Sequence, residues 1–101
     1  MDRARSRHDV PIRLTEERWL HIVESHDDLA GYYDRVLETV EDPDYIVEGY
    51  GDALVALKGT RAGRYLAVVY KEETATDGFI ITAYFTNKIN LEKERIIWQR
   101  Q

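Results

Sequence analysis

The chain has 101 residues, no cysteine, and 33% charged against 44% hydrophobic residues. That describes one globular domain with a modest core and excludes a disulfide scaffold, a thiolate metal site and a disordered chain. The formal net charge of −5 argues against a polyanion as partner, but the charge is unevenly sorted. Residues 15–52 hold twelve acids against Arg18 and Arg35, while 53–71 hold no acid and carry Lys58, Arg61, Arg64 and Lys71. Such a split lets one side attract an anion, and it also fits an ordinary scatter of solvated charge.

Residues 1–9, MDRARSRHD, read as a flexible basic leader, with Arg3, Arg5 and Arg7 alternating and nothing apolar to anchor them. No apolar run follows that would make a secretory signal, and none is long enough to span a membrane, so a cytoplasmic location is the default. Residues 10–101 read as a single domain. Residues 10–14 suit a short edge strand, with Pro11 tolerated near its start.

Thr15 is a helix N-cap candidate followed by Glu16 and Glu17, and the spacing predicts a helix over 16–26. Trp19, Ile22, Val23 and His26 share its apolar stripe, while His21 points nearly opposite. His26 then reads as a packed or capping histidine and His21 as a surface residue. Gly31 interrupts, and a second helix is predicted over 32–41 with Tyr33, Val36, Leu37 and Val40 on one face. The Asp42-Pro43-Asp44 segment ends it.

From Tyr45 the period changes to strand, with candidates at 45–50, 53–58, 64–71 and 79–86. The loop 59–63 has glycine at both ends and reads as a hairpin. Residues 91–95 suit a helical turn and 96–98 a short last strand. The connections are too short for crossover helices, so the sheet should be antiparallel. The expected fold is α+β: two N-terminal helices packed on a four- or five-stranded antiparallel sheet.

The strand at 79–86, FIITAYFT, organises this reading. Phe79, Ile81, Ala83 and Phe85 form an apolar set, while Ile80, Thr82, Tyr84 and Thr86 form a set with three hydroxyls. The second set suits a plain exposed sheet face, and it equally suits a recognition face.

No phosphate-binding glycine loop, nucleophile elbow or metal-ligand histidine spacing is present. What remains is a proton carrier near neutral pH in histidine, cations that can stabilise a phosphorane-like charge, and hydroxyls and aromatics that can hold phosphate or stack a base. RNA cleavage through the 2′-hydroxyl needs only such groups, with no metal or cofactor.

Several segments taken together resemble a known family. They are RLTEERWLHI at 13–22 followed by His26 and Asp27, VEDPD at 40–44, YLAVVYK at 65–71, ITAYFT at 81–86, and Trp98. In order and spacing they resemble the phage-associated nuclease-like domains grouped with barnase, EndoU, the RNase colicins and RelE. One departure is Asp27, where a proline is expected after the second histidine. The resemblance implies a barnase/RelE-like layout and a metal-independent endoribonuclease of toxin or phage-conflict type. It implies His21 as general acid or base, Lys71 as the transition-state cation, Tyr84 and Thr86 as positioning groups and His26 as a second proton carrier. Lys58, Arg64 and Thr82 would bind substrate. The expected partner is RNA, with a protein inhibitor or antitoxin and a homodimer as further partners. The competing expectation is a non-catalytic RNA- or protein-binding module.

Overall fold

The computed structural model describes residues 3–61 and 63–101. Among them the chain runs β1 (Arg3–Arg5), β2 (Pro11–Arg13), α1 (Glu16–Ser25), a 3-10 turn (Asp27–Leu29), α2 (Tyr33–Glu41), β3 (Tyr45–Glu48), β4 (Leu54–Gly59), β5 (Tyr65–Thr74), β6 (Asp77–Thr86) and β7 (Ile96–Gln99). The seven strands form one strongly curled half-barrel sheet in the order β1-β2-β6-β5-β4-β3-β7.

This corrects the expected four- or five-stranded antiparallel sheet in three places. First, the span read as a basic leader is β1 and a tight turn, with only Met1 and Asp2 lying outside the described residues. Ala4 and Ser6 are buried between exposed Arg3, Arg5 and Arg7, so one small apolar residue at strand spacing suffices to seat the hairpin. Second, β2 is not an edge strand. It pairs antiparallel with β1 and parallel with β6, through Ile12 opposite Gly78 and Arg13 opposite Phe79. The sheet is therefore mixed. Third, residues 96–99 return to the far side and pair antiparallel with β3 as β7. Residues 91–93 form a turn, with the Lys93 N–H donating to the Asn90 carbonyl at 3.0 Å.

The parallel contact depends on Gly78. A Cβ there would collide with the Lys71 carbonyl oxygen of β5 and lie 2.6 Å from Ile12 Cδ1 of β2, so glycine lets β6 fit between its two neighbours. Arg13 secures the same junction with a fork to Asp77 at 2.8 and 3.0 Å, its guanidinium 5.9 Å from the Phe79 ring centre.

Both helices start as the sequence dictates. Thr15 Oγ1 accepts from the Arg18 N–H at 3.1 Å, and Glu16 and Glu17 occupy the first turn. Gly31, at φ +87, makes the left-handed step into α2. Helix α2 buries Val36, Leu37, Thr39 and Val40 in the curl of the sheet. Helix α1 buries Ile22 fully and sets Trp19 edge-on against Tyr33 at 5.3 Å. The central strands are buried on both faces. Ala56, Leu66, Val68, Tyr70, Ile80 and Ala83 meet the helices. On the outer face Val47, Val55, Leu57 and Ala67 are closed over by Ile89 and Leu91.

A bulge at Ile81 alters the face assignment within β6. Val69 pairs with Thr82 and Tyr70 with Ile80, so Ile81 is the extra residue. Ile80, Ala83 and Phe85 face the helices, whereas Thr82, Tyr84 and Thr86 share the outer face. The three hydroxyls stay together as predicted. Ile80 leaves them for the core, and Phe79, opposite Lys71, joins the outer face.

Polar clamps close the ends. The Ser6 hydroxyl donates to Glu72 at 2.6 Å, and His8 Nδ1 lies 2.8 Å from the other oxygen of that carboxylate. Arg100 binds Asp42, Asp44 (3.1 Å) and the Pro43 carbonyl (3.0 Å), holding the end of β7 to the α2–β3 link. No helix among the described residues is long and apolar enough to cross a membrane.

A candidate anion-binding cleft

Strand alternation carries the basic hairpin toward the helix side. Lys58 continues the parity of Leu54 and Ala56, and Arg64 that of Leu66 and Val68. Both therefore stand on the helix-facing side, just beyond the end of the core. Phe85 reaches the same place from β6, and Tyr32 from the start of α2. The result is an open cleft of about 570 Å³ between α2, the 3-10 turn and the β4–β5 hairpin.

Its floor is aromatic. Tyr32 and Phe85 meet edge to face at 5.2 Å, and the Arg64 guanidinium carbon lies 4.2 Å from the Phe85 ring centre. Arg64 also contacts the Asp28 carboxylate at 3.5 Å. Lys58 Nζ donates to the Asp42 carbonyl at 2.9 Å and approaches its carboxylate at 3.3 Å. Arg35 and Arg61 complete a set of four cations, opposed within the lining by Asp28 and Glu38. The cleft thus carries a local excess of positive charge in an acidic protein.

No protein-family model, curated protein or solved structure matches this chain. The chemistry must be read from the residues themselves.

Of the eight residues singled out by sequence, Lys58 and Arg64 meet in the cleft. Thr82, Tyr84 and Thr86 lie on the outer face of β6. His26 caps α1 and sets its ring 6.0 Å from that of Tyr84, past the end of the short β2–β6 pairing. Lys71 also faces outward, opposite Phe79, whereas Thr86 lies opposite Tyr65. That is six residues along β5, or about 20 Å of strand. His21 is exposed on the far side of α1, in a shallow groove with Glu17, Leu20 and Glu24. The structure therefore sets His26 beside Tyr84 and Lys58 and Arg64 in one cleft, and separates Lys71 from Thr86 along the sheet. Among the described residues no cluster of histidine and carboxylates is placed to hold a metal.

The residues missed were Tyr32, Phe85, Arg35 and Asp28. Arg61 was visible in the acid-free run at 53–71. Phe85 read simply as core, and nothing local links it to Tyr32 or Arg64.

Proposed function

We propose that this protein is a single-stranded RNA-binding module that holds one nucleotide in the cleft and does not cut it. The observation that carries this reading is the Arg64–Phe85 stack at 4.2 Å, bordered by the Tyr32 ring and further cations. Unpaired bases are held on aromatic rings and on guanidinium planes, and phosphates by the cations beside them. A volume of about 570 Å³ lies in the range of sites for small ligands, which suits one nucleotide. The acidic helices beside the cleft disfavour a long duplex, whose closely spaced phosphates would meet them.

The placement of the proton-transfer candidates favours binding over cleavage. His21 stands on the outside of α1, and Lys71 lies about 20 Å of strand from Thr86. The endoribonuclease implied by the family resemblance requires these groups at one scissile phosphate.

Fluorescence anisotropy of a labelled single-stranded hexanucleotide, at low salt and in excess EDTA, tests the reading. Binding should weaken with salt with a slope of about −1.4, corresponding to the two phosphates that flank one nucleotide. Arg64→Ala should weaken binding about tenfold through loss of the stacked cation. Absence of binding, or affinity indifferent to Arg64→Ala, overturns it. Electrophoresis of the same mixture should show intact RNA. Cleavage abolished by His21→Ala would replace this reading with the nuclease.

A further inference from the structure

The cations of the cleft are not equivalent. Arg64 is committed to Asp28 and the Phe85 ring, and Lys58 to Asp42. Arg35 on α2 and Arg61 on the β4–β5 hairpin line the same cleft from different elements. Among the described residues neither guanidinium has an ion-pair or hydrogen-bond partner. Each presents a planar fork of donors and stays charged at any physiological pH.

Two uncommitted guanidiniums carry more positive charge than one internal phosphodiester balances. A diester carries one negative charge on two non-bridging oxygens. A phosphomonoester carries close to two charges at neutral pH on three terminal oxygens. It can satisfy two guanidiniums together. The acids of the cleft point the same way. Asp28 and Glu38 stand in the lining, so a strand that ran on through the cleft would bring further phosphates against carboxylates. A strand that ends there avoids this.

We infer that the cleft takes the end of an RNA strand, with its terminal phosphomonoester between Arg35 and Arg61 and its last base against Arg64, Phe85 and Tyr32. The inference rests on the RNA-binding reading above. A 5′-phosphate and a 3′-phosphate share this chemistry, and the test separates them.

Three hexanucleotides of one sequence, carrying only hydroxyl ends, a 5′-phosphate or a 3′-phosphate, should be compared by anisotropy. One phosphorylated form should bind about tenfold more tightly than the hydroxyl form, and which form does so assigns the end. Arg35→Gln and Arg61→Gln should each erase that preference, weakening the phosphorylated form about tenfold more than the hydroxyl form. The preference should also shrink below about pH 6, where the monoester takes up its second proton. Both arginines are exposed, so the variants should keep the wild-type far-ultraviolet circular dichroism. Equal binding of all three RNAs, with Arg64→Ala still harmful, overturns the end-recognition inference and leaves the RNA reading standing. A preference that survives both glutamine variants also overturns it. No binding of any RNA overturns both.

Discussion

The Arg7 guanidinium carbon lies 4.8 Å from the centre of the Trp98 ring, joining the turn after the first strand to the last strand. In the sheet order these strands stand at opposite ends, so the contact spans the open side of the half-barrel. Trp98 shares the helix-facing side with Ile46 and Ala56, where the curl brings the two ends together over α2.

Removing that cation should loosen the seam without dismantling the sheet. Arg7→Ala should cost about 0.5–1 kcal/mol in urea unfolding, the range for an exposed cation–π contact. In a Trp19→Phe background, Trp98 emission should shift to the red and become more accessible to acrylamide. Unchanged emission would mean that Arg7 does not cover the ring in solution.

The parallel junction makes a steeper demand. Gly78→Ala places a methyl group against the Lys71 carbonyl of β5 and the Ile12 side chain of β2, so β6 must shift from β5 while Ile12 turns aside. It should cost roughly 1–3 kcal/mol, the usual range for forced overpacking. Hydrogen exchange should show the loss concentrated in residues 11–13 and 77–80. A neutral substitution would show that β6 does not pass so close to the Lys71 carbonyl in solution.

Acid should unfasten the Arg100–Asp42 and Arg13–Asp77 pairs. The hydrogen bond from Arg100, followed by that from Lys58, holds the Asp42 carboxyl below its ordinary value of 3.8. The hydrogen bond from Arg13 lowers Asp77 in the same way. A carboxylate whose pKa is lower in the folded than in the unfolded state stabilises the fold above its unfolded value, and that contribution drains as pH falls through the folded one. Stability should therefore decline below about pH 4, and Asp42→Asn with Asp77→Asn should flatten the decline. Because both pairs are exposed, the effect should also shrink in high salt, as read from thermal melts at several ionic strengths.

Tyr70 is fully buried on the helix-facing side, and its hydroxyl has no hydrogen-bond partner among the described residues. Burial, with the nearby Glu72 charge, pushes its pKa well above the ordinary tyrosine value. Tyr70→Phe keeps the ring and removes the uncompensated group, and should stabilise the fold by about 1 kcal/mol. Destabilisation in urea unfolding would reveal a partner for the hydroxyl.

His21 offers a control on the function. It lies outside the cleft, so His21→Ala should leave RNA affinity within about twofold of wild type by anisotropy. A larger loss would move the binding surface to α1.

Much of the local structure is legible along the chain. Thr15 caps α1, Gly31 divides the helical segments, and alternation together with β-branched and aromatic residues marks β3 to β6. These features rest on interactions within a few residues, which is why local pattern suffices for them. The three hydroxyls of β6 stay on one face because the bulge lies before Thr82, whereas Phe79 and Ile80 swap roles because an extra residue inverts parity on its other side.

What the amino-acid order determined alone is thus the set of helices, the middle hairpins and the basic character of residues 53–71. Tertiary structure decided the rest: the parallel seat of β2 on β6, the return of β7 to β3, and the meeting of Tyr32, Arg64 and Phe85. Each joins residues about 20 to 66 positions apart, and no local preference encodes such a partner. It is chosen when the curled sheet closes on α2 and buries the most apolar surface.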